Sequence, residues 1–419
     1  MSKIQKYKES IGDIMRTELK ICVIGSVDAG KSSLISVLVY DNLDDGRGFA
    51  RKRIFRHPHE METGRTSAIS SHHLKRDGGV VTFIDLAGHE RYLKTTITGL
   101  SSSFSDYAII TIAANMGVLR MTKEHLGIAL ALKIPVIVVI TKIDLAPEHV
   151  LNRTINRLNR ILTSKAAGHK IPLPITDSSV ADTYIHMKMR NKLRHVPVFQ
   201  VSNKSGHNMK LLRNSILKLE PYNRVYADDD INLFQIDERY QVTGVGTVLY
   251  GVLRRGKINV NDKLFLGPFN GQYTEILVKS IHNNVKEHIP YLESGITGCL
   301  AIKILGKKNP IRPDYIRRGM VVISHPQSVY EFLAEVLILH HPTTIGINYQ
   351  PMVHCGSVRQ IVKVCKIINK SYIRTGERAS IRFRFLYKPE YIEEGDLIIL
   401  REGKTKGVGK IKRVFTNKA

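Results

Sequence analysis

Residues 25–32 read Gly-Ser-Val-Asp-Ala-Gly-Lys-Ser: two glycines bracket four residues, and a lysine and a serine follow. An apolar run at 20–24 leads into them, and a stretch of helical character at 31–38 leads out. A strand that turns through glycine into a helix leaves backbone N–H groups facing outward. The helix start adds an electrostatic preference for an anion. In that context Lys31 can reach the β- and γ-phosphates of a nucleotide, and the Ser32 hydroxyl can ligate Mg²⁺. The expected cradle comprises Val27, Asp28, Ala29, Gly30, Lys31, Ser32 and Ser33.

The pattern around the motif agrees with it. Up to about residue 221, apolar runs at 19–24, 80–86, 107–113, 135–140 and 196–201 alternate with helical stretches at 31–38 and 122–132. Such alternation predicts a mostly parallel sheet with helices on both faces. Thr122 is placed to cap the second of these helices. Leu151, Ile155, Leu158 and Ile161 recur at helical spacing and mark another.

Beyond about residue 227 short alternating runs take over, at 242–249, 263–267, 298–304 and 320–324, with turns at Arg255-Gly256 and Asn270-Gly271. From 329 onward the runs lie at 335–340, 360–368, 379–387 and 396–401. The absence of competing helix signals predicts two all-β regions closed as barrels. The expected limits are an extension at 1–18, an α/β domain at 19–225, and barrels at 226–328 and 329–419.

Two further motifs sit at strand ends. Asp85-Leu-Ala-Gly88-His89 follows the run at 80–84. An acid there can hold Mg²⁺, usually through water; Gly88 leaves room for a backbone N–H beside the terminal phosphate, and His89 is the candidate to orient attacking water. Thr141-Lys142-Ile143-Asp144, followed by Leu145, ends the run at 135–140. A carboxylate at Asp144 can accept from guanine N1 and N2, a donor pair that adenine lacks. Lys142 can lie flat against the purine. Ser202, Asn203 and Lys204, after the last strand, can offer backbone N–H groups to guanine O6. In this order and spacing the motifs point to GTP or GDP with Mg²⁺.

Charge adds a partner class. Lysine and arginine total 63 against 37 acidic residues, a net charge of +26. An excess of this size attracts polyanions, whether RNA, DNA or a membrane surface, and it supplies affinity rather than specificity. Between 152 and 195 lie nine basic residues, Arg153, Arg157, Arg160, Lys165, Lys170, Lys188, Arg190, Lys192 and Arg194, against Asp177 and Asp182. Arg153, Arg157 and Arg160 share one helical face. A second basic region runs from 359 to 419, with sixteen basic and six acidic residues. The longest apolar stretch, 134–140, is far too short to span a membrane, and residues 1–18 carry no secretory-signal pattern. Four scattered cysteines suggest neither a disulfide framework nor a zinc site, and a reducing, cytoplasmic setting is expected.

The motifs together resemble the translational GTPases of the elongation factor Tu superfamily, and within it the eukaryotic GTP-binding protein one and two subfamily. The resemblance rests on Asp44-Asp-Gly-Arg-Gly-Phe-Ala-Arg, His59-Glu-Met-Glu-Thr-Gly-Arg-Thr66-Ser, Asp85-Leu-Ala-Gly-His-Glu and Met121-Thr-Lys-Glu-His-Leu-Gly, extending to Gly244-Val-Gly-Thr-Val248. It implies that Thr66 ligates Mg²⁺ in the GTP state and that Asp28 marks the translational branch. It further implies that Asp237, Glu238 and Tyr240 match residues shaping an aminoacyl pocket, where Tyr250 replaces a smaller residue. Thr141 stands in place of an asparagine, which implies weaker guanine binding. Arg65 replaces an apolar residue that, with the valine matching Val27, would gate the histidine. Its guanidinium would then face solvent, pair with Glu62, contact RNA or act as a cis arginine finger.

The expected function is a monomeric GTPase that binds tRNA, mRNA or the ribosome, within the translation or RNA-decay machinery. Loss of the γ-phosphate would release the switch segments and shift the barrels. The rivals are a GTP-gated RNA-binding adaptor with incidental hydrolysis and a GTPase of the sulfate-activation type.

Overall fold

The structure, a computed structural model, describes residues 18–54, 69–187, 189–221, 231–284, 287–305, 312–403 and 405–416. It falls into two compact units, Met1–Tyr222 and Asn223–Ala419.

The first unit is built on seven strands: β1 (Glu18–Gly25), β2 (Ser70–Arg76), β3 (Gly79–Asp85), β4 (Tyr107–Ala113), β5 (Val136–Thr141), β6 (Ile171–Pro174) and β7 (His195–Gln200). Their order is β2-β3-β1-β4-β5-β7-β6. All neighbours run parallel except β2 on β3. Strands β3, β4 and β5 are buried at every residue, which explains their mostly apolar sequences. The longer helices among the described residues are α1 (Lys31–Tyr40), α2 (Leu93–Ser102), α3 (Arg120–Ala131), α4 (Glu148–Thr163), α5 (Ser178–Ile185) and α6 (Met209–Leu217). Leu19, Ile21 and Val23 of β1 share a core with Leu34 and Leu38 of α1, Tyr184 of α5 and Leu212 and Ile216 of α6.

The two edge strands were not legible as strands. β2 reads Ser-Ser-His-His-Leu-Lys-Arg, polar throughout except Leu74, and it forms because a tight turn folds it back on β3. β6 carries Pro172 and Pro174, which an edge strand tolerates because one side needs no N–H donors. The expected cap at Thr122 is corrected. Helix α3 begins two residues earlier, with Leu119 at its N-cap and no side-chain cap. Thr122 is 1% exposed inside the helix, and its hydroxyl has no hydrogen-bond partner among the described residues. Its methyl group is what the core uses.

The second unit holds two barrels of six strands each. The first closes in the order β11-β16-β8-β9-β15-β12, with β12 returning to β11. Its strands are β8 (Leu233–Val242), β9 (Gly246–Arg255), β11 (Lys263–Phe269), β12 (Gln272–Asn283), β15 (Thr297–Ile304) and β16 (Val321–Ile323). Short strands β10 (Lys257–Asn259) and β14 (Tyr291–Glu293) pair with each other, and β13 (His288–Ile289) extends the edge at β12. The run expected at 242–249 crosses a hairpin turn instead. The Val245 N–H donates to the Val242 carbonyl at 3.1 Å, and Gly244 takes a positive φ of 78°. The Asn270-Gly271 turn does lie between β11 and β12, with both residues at positive φ.

The second barrel closes in the order β17-β22-β20-β19-β23-β24. These strands are β17 (Val329–His340), β19 (Met352–Cys355), β20 (Val358–Ile367), β22 (Arg378–Phe385), β23 (Leu397–Glu402) and β24 (Thr405–Thr416); β18 (Ile345–Gly346) and β21 (Tyr372–Ile373) form a small separate pair. Phe332 and Phe383 stack in its core, ring centroids 5.3 Å apart. Ion pairs join the barrels: Arg254 to Asp396 at 2.9 Å, Arg317 to Glu390 at 2.9 Å, and Arg255 to Glu393. Glu390 is 2% exposed, and burial pushes its carboxyl above the usual range although Arg317 opposes the shift. Removing Arg317 would strand that carboxylate, so the pair specifies how the barrels meet.

Candidate nucleotide site

The motifs converge at the C-terminal edge of the parallel sheet, where an open α/β sheet presents its crevice. β1 ends at Gly25, β3 at Asp85, β5 at Thr141 and β7 at Gln200. Between β1 and α1 the loop turns through Asp28 (φ 58°) and Gly30 (φ 79°). Gly30 occupies the N-cap of α1 in the left-handed region and brings no side chain to the helix's first N–H groups. Those groups remain available to an anion.

Lys31 is 7% exposed, and its ammonium donates to the Ser26 carbonyl at 2.8 Å. Burial pushes its pKa below the usual lysine range, while Asp85 and then Asp28 pull it back. A cation held back from water in this way is stabilised by the charge of a polyphosphate. The Ser32 hydroxyl donates to Asp85 Oδ2 at 2.6 Å, and Asp85 is 1% exposed. One hydroxyl and one carboxylate therefore meet where the loop opens, a donor set that suits a hard cation completed by phosphate oxygens and water. Ala29 and Ser33 are buried, Val27 is half-buried and Asp28 is exposed.

Gly88 lies directly against this loop. A Cβ added there would stand 2.4 Å from Lys31 Nζ and 2.7 Å from the Gly25 carbonyl oxygen. Its neighbour His89 is exposed, and its Nδ1 accepts from the Arg91 N–H at 3.1 Å, capping the turn Glu90–Tyr92. Nδ1 is thereby occupied as an acceptor, and Nε2 carries the proton. Thr66, Arg65 and Glu62 lie outside the described residues.

The residues expected to meet the base gather where β5 and β7 end. Thr141 is fully buried, and its hydroxyl donates to the Ala29 carbonyl at 2.8 Å, so it braces the phosphate loop. Lys142 turns through the left-handed region (φ 58°), leaving Asp144 exposed with Leu145 beside it, 58% exposed. Ser202 Oγ accepts from the N–H groups of Lys204 and Ser205 at 3.2 and 3.0 Å. Those two amides are thus turned into the loop, a limit on the backbone donors expected there. The Asp44 N–H donates to the Asn203 carbonyl at 2.9 Å, and a Cβ on Gly46 would meet the Lys204 side chain at 3.2 Å. The Asp44–Arg51 motif therefore supports the base loop, a role its sequence did not disclose.

Comparison with known proteins follows the same lines. Residues 16–222 match the elongation factor Tu GTP binding domain. The chain is 41% identical over 444 residues to GTP-binding protein 1 of Xenopus laevis, covering 99% of this chain and 66% of that protein. It is 38% identical over 423 residues to GTP-binding protein 2 of Homo sapiens, covering 94% of this chain and 69% of that one. The chain belongs to the elongation factor Tu-like GTPases. It spans about two thirds of the length of these two relatives. In fold it is similar to translation elongation factor SelB from Methanococcus maripaludis in complex with the GTP analogue GppNHp. That likeness has a TM-score of 0.70 at 20% identity, over 97% of this chain and 81% of SelB.

Within this GTPase two expected clusters do not gather as read. Glu238 and Tyr240 are exposed and bond to each other, with Tyr250 across the strand from Glu238. Asp237 instead accepts from Ser357 Oγ at 2.6 Å and pairs with Arg318 at 3.5 Å, because alternation along β8 sends it to the other face. The basic cluster also divides. Arg153, Arg157, Arg160, Lys165 and Arg194 are exposed. Lys170 donates to the Leu193 carbonyl at 2.6 Å, and Lys192 is 5% exposed against Tyr107 and Tyr184. The side chains of Lys188 and Arg190 lie outside the described residues. In the second barrel Arg382 and Arg384 are held by Glu331, and Lys412 by Glu335 at 3.0 Å, which neutralises part of that patch. Among the described residues no helix is long and apolar enough to cross a membrane.

Proposed function

We propose that this protein hydrolyses Mg²⁺·GTP as a timed release step while bound to tRNA, mRNA or the ribosome, acting as a cytoplasmic monomer. Its domains divide at 225 and 328. The observation that carries the reading is the convergence of Lys31, Ser32, Asp85 and Gly88 beside the loop holding Asp144. Lys31 and the α1 N–H groups bind the β- and γ-phosphates. Ser32, Thr66 and Asp85 would hold the magnesium ion, which would supply charge neutralisation. The Gly88 N–H faces the terminal phosphate. Asp144 reads guanine N1 and N2, with Lys142 and Leu145 against the ring. The polyanion partner is supported by the +26 charge and by the exposed face of Arg153, Arg157 and Arg160. GTP turnover measured with and without ribosomes tests the reading, and ribosomes are expected to accelerate it.

The exposed position of His89 favours one second reading, a GTP-gated RNA-binding adaptor in which hydrolysis is incidental. For water to be oriented, His89 must leave its bond with Arg91 and swing toward the terminal phosphate. His89→Ala should then keep GTP affinity near wild type and lower the ribosome-stimulated rate at least ~10-fold. Equal stimulated rates in mutant and wild type would favour the adaptor. Replacing Arg153, Arg157 and Arg160 together should flatten the slope of log RNA affinity against log salt by up to about 2.7. An unchanged slope removes helix α4 from the interface.

A further inference from the structure

Asn203 follows β7 and passes beside the phosphate loop. It is 8% exposed, and its Oδ1 is buried with no hydrogen-bond partner among the described residues. A Cβ placed on Gly30 would stand 3.6 Å from Asn203 Nδ2 and 3.5 Å from Thr141 Oγ1. The carboxamide and the Thr141 hydroxyl therefore flank the same glycine. Thr141 has already given its only hydrogen to the Ala29 carbonyl. The Lys204 and Ser205 amides are given to Ser202 Oγ. Guanine presents two acceptors on one edge, O6 and N7, next to the N1 and N2 donors that Asp144 would take. That acceptor edge needs donors, and the Asn203 carboxamide carries two N–H groups. A half-turn of the amide exchanges Oδ1 and Nδ2 without changing its shape. A buried Oδ1 left without a donor is costly; with the amide turned, Nδ2 would stand in its place and the acceptor edge of a purine would satisfy it.

We propose that the Asn203 side chain is a base-specificity residue that donates to the O6/N7 edge of guanine, making up for the donor that Thr141 lacks. The inference rests on the guanine reading above and deepens it. The alternative is a bracing role at Gly30 without contact to the base.

The test titrates wild type and Asn203→Ala with GDP, 7-deaza-GDP (no N7), 2-aminopurine riboside diphosphate (no O6 and no N1–H, so each variant is compared with wild type on the same ligand) and ADP. Asn203→Ala is expected to weaken GDP at least ~10-fold, the scale of one or two lost hydrogen bonds. It should weaken one of the two edge-deleted analogues by ~3-fold or less, because the accepting atom is already missing. Thr141→Asn in the Asn203→Ala background should recover most of the GDP affinity, since it returns an amide to the other side of Gly30. Asn203→Asp keeps the shape, should the alanine variant fail to fold. It presents only acceptors and should narrow the preference for GDP over ADP at least ~10-fold. An equal loss for all three purine analogues, or no loss for GDP, would overturn the inference. If wild type fails to prefer GDP over ADP, the guanine reading itself falls. If it prefers GDP and Asn203→Ala keeps that affinity, only the role of Asn203 falls.

Discussion

Asp144→Asn is expected to lower GDP affinity about 100-fold and to raise affinity for xanthosine diphosphate. In the proposed complex the wild-type carboxylate would face two guanine donors, N1–H and N2–H, and each bond to a charged acceptor contributes roughly 1.5–3 kcal/mol. An asparagine replaces one acceptor with a donor, which opposes the guanine amino group and suits the xanthine oxygen at the same ring position. The exposure of Asp144 makes this a local change, because no core residue depends on it. Competition titration of GDP, XDP and ADP against wild type and variant measures it. If the wild-type protein binds ATP as tightly as GTP, the assignment of Asp144 is wrong.

What the sequence disclosed follows from how local each cause is. The phosphate loop was legible because glycine spacing, a lysine and a serine in succession fix one local geometry, and the structure builds it between β1 and α1. The parallel strands were legible because strands buried on both faces must be apolar throughout. β2 was not, because its strand character comes from its partner β3, with His73 bonding Thr82 at 3.2 Å. Thr122 looked like a cap because hydroxyl residues favour helix starts, yet Arg120 begins the helix and Thr122 is packed inside. The basic residues at 152–195 looked like one patch, but Lys170 is drawn inward by the Leu193 carbonyl and Lys192 by Tyr107, far away in sequence. The Asn203 side chain was missed because nothing in a loop sequence reveals that an amide oxygen is buried with no partner among the described residues. Its proximity to Gly30 exists only once β7 and the phosphate loop are side by side.

Gly88→Ala should abolish the response to the γ-phosphate while sparing GDP binding. The alanine methyl group would have to fit 2.4 Å from Lys31 Nζ, 2.7 Å from the Gly25 carbonyl oxygen and 2.8 Å from the Ser26 carbonyl carbon. The flexible lysine tip can give toward the β-phosphate it is proposed to bind. The backbone cannot, because Gly25 is in register with Thr111 of β4, and the Thr111 hydroxyl bonds the Ile24 carbonyl at 3.2 Å. The segment from Leu86 to His89 must therefore retreat, taking the Gly88 N–H away from the place proposed for the terminal phosphate. GDP has no γ-phosphate to reach it, and its affinity should stay within ~3-fold of wild type, the scale expected of surface-site changes away from a contact. Single-turnover GTP hydrolysis should fall ~100-fold, because a displacement near 1 Å at a reacting group costs about that much. Gly78→Ala is the matched control: its φ of 70° strains an alanine, but nothing lies within 4 Å of the added carbon. That variant should lose about 1 kcal/mol of stability and keep its hydrolysis rate. A Gly88→Ala protein that hydrolyses GTP at a rate close to the Gly78→Ala control would show that the approach of Gly88 to the phosphate loop has no part in catalysis.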